Sequence, residues 1–269
     1  MVTVIIVTHN SQTVLPRCLA ALAEQTRRPE QVVLVDSGSA SKAYLQQYRE
    51  QDGILVHHAD NRGFGAANNI GVKLAGGGQS FLLFLNPDAY LLPTALDTAI
   101  EVMERQQRAA VLGGRLLGYD HDAGTPTGRL DSAGVFRTWY GRWYDRGQGE
   151  PDDSRYGRQQ QVPALCGAFL LCRWEALAPL LPSVFDETFF LYKEDIDLCL
   201  RLTKAGWNCL YAPQVQVYHC RGWNPDRRSM TRAARLMAAR SELHLTLKHR
   251  SPYLLWAVMK YLLVRIADS

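Results

Sequence analysis

The sequence predicts an α/β chain with a mostly parallel, mixed central sheet flanked by helices, and three observations carry that expectation. Short apolar runs alternate with amphipathic helical stretches through the N-terminal part, the pattern of βαβ units with right-handed crossovers. Phe81-Leu82-Leu83-Phe84-Leu85 is apolar at every position, as expected of a strand covered on both faces. Polar residues follow the apolar runs directly, at Thr8-His9-Asn10, Asp36-Ser37-Gly38-Ser39 and Asn86-Pro87-Asp88. In open α/β sheets, ligands bind at the carboxyl ends of the strands.

Residues 2–8 read as the first strand, and Asn10 or Ser11 after it can cap a helix. That helix places Val14, Leu15, Cys18, Leu19 and Leu22 on one face. Residues 31–35 read as a second strand ending at Asp36, and a third lies near 54–57. Asn61-Arg62-Gly63-Phe64-Gly65-Ala66-Ala67-Asn68-Asn69 then opens a helix reaching about Leu74. The strand at 81–85 stops at Pro87, which has no N–H for a ladder, and a helix covers 94–108. Residues 118–161 lose periodicity and are rich in Gly, Asp, Arg and aromatics, including Trp139-Tyr140-Gly141-Arg142-Trp143-Tyr144. They are expected to form a long, partly mobile excursion over one side of the sheet. Its aromatic faces suit either a sugar ring or a satellite hydrophobic cluster. The core resumes at Pro163-Ala164-Leu165-Cys166-Gly167-Ala168-Phe169-Leu170-Leu171-Cys172.

At 269 residues, with 47% hydrophobic and 21% charged, the chain has ordinary globular composition. The net charge of +4 is uneven: from Arg221 onward ten Lys/Arg face three Asp/Glu, so that the first 220 residues carry +4 − 7 = −3. Six cysteines are scattered without a C-x-x-C pair. They read as small core residues in a reducing compartment rather than as a disulfide framework or zinc site. The N-terminus opens on a strand and lacks the regions of a signal peptide. No apolar run approaches the ~20 residues of a membrane-spanning helix. A cytoplasmic chain is expected.

Phe189-Phe190-Leu191-Tyr192-Lys193-Glu194-Asp195-Ile196-Asp197 sets three carboxylates within four residues, after an aromatic pair. If Asp195 starts a helix, orphan N–H groups and the helix dipole keep it ionised, ready to accept a proton from a hydroxyl nucleophile. The alternative is a solvated acidic helix start. Asp88, at a strand end, either gives one oxygen to Mg²⁺ or Mn²⁺ or closes an Asx-type turn. Asp36 can accept from a base N–H or a ribose hydroxyl, and Gly63 and Gly65 allow close backbone approach to a nucleotide. The first βα turn, Thr-His-Asn-Ser-Gln, is not a dinucleotide fingerprint.

Taken jointly, these runs resemble the family-2 glycosyltransferases with a GT-A fold, and among them the rhamnosyltransferase-type enzymes of bacterial surface polysaccharide synthesis. The matching runs are Val4-Ile5-Ile6-Val7-Thr8-His9-Asn10-Ser11, Val33-Leu34-Val35-Asp36-Ser37-Gly38-Ser39 and Asn61 through Gly71. They continue with Leu85-Asn86-Pro87-Asp88, Gly167-Ala168-Phe169-Leu170-Leu171, Phe185-Asp186-Glu187 through Asp197, and Val217-Tyr218-His219. The resemblance implies an inverting enzyme that moves a sugar from a nucleotide-diphosphate donor of dTDP or UDP type, dTDP-rhamnose favoured. The acceptor it implies is a saccharide or a polyprenyl-linked saccharide. It implies donor contacts at Thr8, His9, Asn10, Asp36, Asn61, Gly63, Gly65, Asn68, Asn86 and Gly167. It implies Mg²⁺ or Mn²⁺ on Asp88, and Asp195 as catalytic base with Glu194 beside it. His219, after a strand-like 214–218, is either a metal or diphosphate contact or a structural histidine. His9 stands where the family often has an aromatic, Asn86 replaces the first acid of Asp-x-Asp, and Ser183-Val184 replaces a glycine pair.

The division expected is a catalytic domain, 1–222, and a basic helical extension, 223–269. The extension carries Arg227, Arg228, Arg232, Arg235 and Arg240, then Tyr253-Leu254-Leu255-Trp256-Ala257-Val258-Met259-Lys260. It suits peripheral contact with an anionic membrane, or a helix pair packed on the catalytic part or on another subunit. No nucleic-acid module is recognised. Two other classes stand beside the enzyme reading. A silent nucleotide-sugar-binding subunit would be expected to lose Asp88 or Asp195. A sugar nucleotidyltransferase needs a glycine-rich basic loop near the N-terminus, which 8–13 lacks.

Overall fold

The structure is a computed structural model that describes residues 1–220 and 231–266. Strands β1 (Val2–Thr8), β2 (Gln31–Ser37), β3 (Ile54–Ala59) and β4 (Phe81–Leu85) form a parallel block in the order β3-β2-β1-β4. Every residue of β1 and β4 is buried, which is why their sequences are continuously apolar rather than alternating. Next to β4, β11 (Phe169–Arg173) runs antiparallel, followed by β6 (Ala109–Asp120) and β12 (Asn208–His219), which are parallel to each other. Along this path only β11 and the short edge strand β10 (Gln160–Gln161) oppose the common direction. The sheet is mixed but mostly parallel.

Helices cover both faces. α1 (Leu15–Ala23) and α3 (Ala95–Arg105) pack on the side of Val4, Ile6, Leu34 and Leu83. α2 (Phe64–Ala75) and α5 (Glu194–Lys204) pack on the side of Ile5, Val33, Leu82 and Phe84. Gly71 sets the approach of α2, since a Cβ there would lie 2.4 Å from Ile5 Cγ2. The short α4 (Trp174–Leu177) follows β11.

The start of α1 differs from expectation. Neither Asn10 nor Ser11 caps it by its side chain: the helix begins at Leu15 after an uncapped Val14. Asn10 is left-handed (φ 52°) and its Oδ1 accepts from Ala40 N–H at 2.9 Å. Its side chain ties two strand-end loops together instead of closing a helix.

Residues 118–161 are also not the loosely ordered excursion expected. β6 continues to Asp120, and β7 (Thr125–Ser132) folds back antiparallel on it. β8 (Val135–Arg137) and β9 (Trp143–Asp145) form a hairpin. Leu130, Ala133, Val135, Trp143 and Tyr156 are buried in the core on the α2–α5 side. The strands are short and broken by left-handed glycines such as Gly134 (φ 98°) and Gly141 (φ 97°), so no long period survives in the sequence. β5 (Ala89–Leu91) completes the sheet against the end of β12.

Arg227 and Arg228 lie outside the described residues. α6 (Arg232–Lys248) packs on the loop before α5: Ser241 Oγ donates to Leu191 O at 2.8 Å, and His244 Nε2 lies 2.7 Å from Thr188 Oγ1. Lys248 and His249 reach Asp197 Oδ1 at 2.7 and 2.9 Å, and Arg201 Nε donates to its Oδ2 at 2.7 Å. α7 (Leu254–Ile266) buries Ala257 and exposes Leu255, Met259, Leu262 and Leu263. No helix among the described residues is long and apolar enough to cross a membrane.

Asp197 is fully buried and joins Arg201 of α5, Lys248 of α6 and the His249 imidazole in the turn after α6. Removing one partner of a buried ionic cluster leaves the others uncompensated. Asp197→Ala should therefore lower unfolding free energy by about 3 kcal/mol in urea titration. A loss within experimental error would show that the cluster does not brace α6.

Candidate active site

A cleft of about 410 Å³ opens at the carboxyl end of β4. It gathers Asn86 and Asp88 after β4, Gly167 before β11, Glu194 and Asp195 at the start of α5, and His219 at the end of β12. Its outer wall includes Trp143, Tyr144 and Lys193. Thr8, His9, Asn10, Asp36, Asn61, Gly63, Gly65 and Asn68 do not line this cleft. They lie along the adjoining ends of β1–β3 and the start of α2, with Phe64 bridging the two regions.

One side of the cleft is a carboxylate–imidazole–carboxylate row. His219 is paired to Ala89 in the sheet, and the loop between is closed by Cys220 N–H donating to Asp88 O at 3.0 Å. His219 Nδ1 donates to Asp131 Oδ2 at 2.8 Å, and Nε2 lies 3.5 Å from Asp88 Oδ1 and 3.4 Å from the Asn86 side-chain nitrogen. Burial pushes the imidazole down, but the two carboxylates outweigh it and lift its pKa to about 9. Burial pushes Asp88 up, but the His219 hydrogen bond, the His219 charge and a backbone hydrogen bond together outweigh it and hold Asp88 below the usual carboxylate range. Asp131 was not legible in the sequence, because only the pairing of β7 with β6 brings it to the end of β12.

Among the described residues, no group of three or more His, Cys, Asp or Glu side chains is arranged to hold an ion. Asp88 and, once an ion displaces its Nε2 proton, His219 offer two ligands, with Asp131 orienting the imidazole from its far nitrogen. This donor set fits a divalent ion whose remaining positions are filled by ligand oxygens, not one held by protein alone.

The opposite side is the start of α5. Glu194 and Asp195 follow a loop rather than a strand end, and two non-glycine residues before them are left-handed, Tyr192 (φ 71°) and Lys193 (φ 74°). Such conformations cost about 1–3 kcal/mol each and persist where surroundings fix them. Asn69 supplies one anchor, its Nδ2 donating to Phe185 O at 2.8 Å and its Oδ1 accepting from Phe185 N–H at 2.9 Å. Phe64 N–H donates to Phe190 O at 2.9 Å. This contact requires glycine at position 63, where a Cβ would lie 2.5 Å from that oxygen.

Asp195 Oδ2 accepts from Gly167 N–H at 2.9 Å and Oδ1 accepts from Ile196 N–H at 2.8 Å. The helix start alone does not ease its ionisation, as the sequence had suggested. Burial raises its pKa, while the Lys193 charge and these two N–H groups oppose the rise. Glu194 is buried with Oε2 unpartnered, and burial together with the Asp195 charge pushes it up to about 8. The pair therefore holds its negative charge on Asp195, where the donors are. Asp197, by contrast, turns into its own ionic cluster.

At the β1–β3 edge, Asp36 is buried, with Oδ1 accepting from Ser39 N–H at 3.3 Å and Oδ2 3.4 Å from His58 Nδ1. His9 Nδ1 donates to Ser37 O at 2.8 Å, and Asn61 Oδ1 accepts from Ser37 Oγ at 3.4 Å. Thr8 Oγ1 is buried without a partner. Asn68 reaches back to Phe64 O at 3.0 Å within its own helix. His58 was missed in the sequence, although its place beside Asp36 follows from pairing two parallel strands in register.

A model of the family described as "Glycosyl transferase family 2" matches residues 3–173. The chain is 28% identical over 274 residues to the N-acetylglucosaminyl-diphospho-decaprenol L-rhamnosyltransferase of Mycobacterium tuberculosis, covering 94% of this chain and 83% of that one. It is 29% identical to rhamnosyltransferase WbbL of Escherichia coli, covering 81% and 83%. Among solved structures, GalNAc-T7 with UDP, GalNAc and Mn²⁺ superposes with a TM-score of 0.71 at 17% identity, over 92% of this chain and 47% of that one. Mannosyltransferase PcManGT from Pyrobaculum calidifontis, in complex with GDP-Man and Mn²⁺, gives 0.62 at 15% identity, over 99% and 74%. The shared architecture is the GT-A fold.

The raised Glu194 pKa makes a stability prediction with a definite sign. Between the unfolded value near 4.5 and the folded value near 8, the native state binds the extra proton, so stability falls as pH rises through that window. Glu194→Gln removes this dependence. The variant should gain stability relative to the parent from pH 4.5 to 8 in denaturant titrations, whereas a pH-independent difference would place Glu194 in an ordinary carboxylate environment.

Proposed function

The chain belongs to glycosyl transferase family 2 and is a glycosyltransferase; we propose that it is an inverting enzyme acting on a lipid-linked saccharide in cell-surface polysaccharide synthesis. The observation that carries this reading is the cleft itself, lined by the Asp195 carboxylate and by an Asp88–His219 pair. The donor in this reading is a nucleotide-diphosphate sugar, with dTDP-rhamnose favoured over a UDP type. Two relatives bearing rhamnosyltransferase names support the sugar. The polyprenol-linked acceptor is supported by the name of the mycobacterial relative.

The nucleotide lies along the β1–β3 edge, where Asp36 and the orphaned Thr8 hydroxyl offer an acceptor and a hydroxyl partner. His9, Asn10, Asn61, Gly63, Gly65 and Asn68 shape that edge, and Asn86 and Gly167 lead from it into the cleft. Asp88 and His219 would hold the divalent ion, Mg²⁺ or Mn²⁺, which as a Lewis acid offsets charge on the departing diphosphate. Asp195 takes the proton of the acceptor hydroxyl as that oxygen attacks the anomeric carbon from the face opposite the diphosphate. The new carbon–oxygen bond forms as the old one breaks, and the bonding electrons leave with the nucleotide diphosphate. Gly167 N–H and Lys193 keep Asp195 charged for this step. Glu194, protonated, adds no competing negative charge.

The division into a catalytic part, 1–222, and a helical extension, 223–269, is kept in this reading. α6 braces the catalytic loop, and the exposed side of α7 rests on the cytoplasmic face of a membrane.

Asp195→Asn should reduce kcat by ~10²–10⁴-fold while calorimetry still detects donor binding. Loss of donor affinity in that variant would make Asp195 a binding residue instead. Asp88→Ala should abolish the gain in donor affinity brought by Mn²⁺. An unchanged metal-supported affinity would remove Asp88 from the ligand set.

A further inference from the structure

Lys193 lines the cleft on the turn that carries the base. Among the described residues its ammonium has no hydrogen-bond or ion-pair partner. The charged groups facing it are Glu242 from α6, Asp195 from its own helix, Lys260 from α7 and Asp145 from β9. Glu242, first among them, is buried and already paired with Lys260. Burial holds the Lys193 ammonium below the ordinary lysine range. A cation that lines an open cleft without a contact partner is available to a ligand anion, and charge-assisted bonds are the strong ones.

The wall of the cleft then changes character outward. Trp143, which lines the cleft, lies under the Arg137 guanidinium at 5.5 Å, and the same guanidinium covers Tyr253, just before α7, at 4.9 Å. Tyr140 meets Trp256 of α7 edge-on at 5.6 Å. Beyond this aromatic seam stand Trp139, 85% exposed, and Leu255, 74% exposed. Asp195, Lys193 and Trp143 line one cleft, and the aromatic seam connects Trp143 to the exposed face of α7.

We propose that Lys193 binds the phosphate that joins the acceptor sugar to its lipid. The acceptor then lies with its hydroxyl at Asp195, its phosphate at Lys193 and its hydrocarbon across the seam toward α7. This rests on the reading of a lipid-linked acceptor. It assigns the recognition of that acceptor's phosphate to one side chain.

The test compares two acceptors carrying the same sugar, one on a short isoprenyl diphosphate and one as a neutral alkyl glycoside. In Lys193→Met, the ratio of kcat/KM for the diphosphate acceptor to that for the glycoside should fall about tenfold or more, and Lys193→Arg should restore most of it. Any effect through Asp195 is common to both acceptors and cancels in the ratio, so an unchanged ratio overturns the assignment. Calorimetry with the isoprenyl diphosphate alone gives a second readout: weaker binding to Lys193→Met supports the assignment, and equal affinity overturns it. Failure of the parent chain to glycosylate either acceptor, with that binding difference intact, would count against the lipid-linked transfer reading and not against Lys193 as the phosphate contact.

Discussion

Asp195 reaches the cleft because two consecutive non-glycine residues before it, Tyr192 and Lys193, are held left-handed. Backbone in that region is strained for such residues, and the strain is maintained from three directions. Asn69 of α2 grips Phe185 by both of its backbone polar groups. Phe64 N–H, at the start of the same helix, holds Phe190. Ser241 of α6 holds Leu191. Release of any one would let the turn relax and swing the carboxylate off Gly167. The position of Asp195 is thus a property of α2, α6 and the loop together, although α5 alone carries the residue.

The site separates its buried acids by giving each a different counterpart. Asp131 and Asp88 share one imidazole, Asp195 takes two backbone donors, and Asp197 takes Arg201, Lys248 and the His249 ring. Glu194 receives no donor on Oε2 and keeps its proton instead. The five acids therefore do not act as one negative patch. The cleft thus sets Asp88 beside the His219 imidazole on one side and Asp195 with its two backbone donors on the other.

The parallel block and the residues at its carboxyl edge were legible in the sequence because burial on both faces leaves continuous apolar runs, stopped abruptly at Asp36 and Pro87. Asp36 and Asp88 stood out as polar residues at such stops, and Asp195 as one of three carboxylates within four residues. What the sequence did not give away depends on contacts distant along the chain. Asn69 meets Phe185 across 116 residues, and His219 meets Asp131 across 88. No local period encodes either. The strands of 118–161 were hidden for another reason: they are brief, and their turns and arginines break the alternation. Within the extension, basic and apolar residues alone could not separate a braced α6 from an outward α7, because that depends on partners such as Thr188 and Leu191.

A single displacement with Asp195 as base across the cleft from the diphosphate fixes the stereochemistry of the product. The full chain would be incubated with dTDP-rhamnose, Mn²⁺ and a sugar-diphospho-isoprenyl acceptor, and the new anomeric centre assigned by NMR. Inversion relative to the donor is the predicted result. Retention would require an intermediate on the protein or an attack from the diphosphate side, and it would contradict the role given to Asp195.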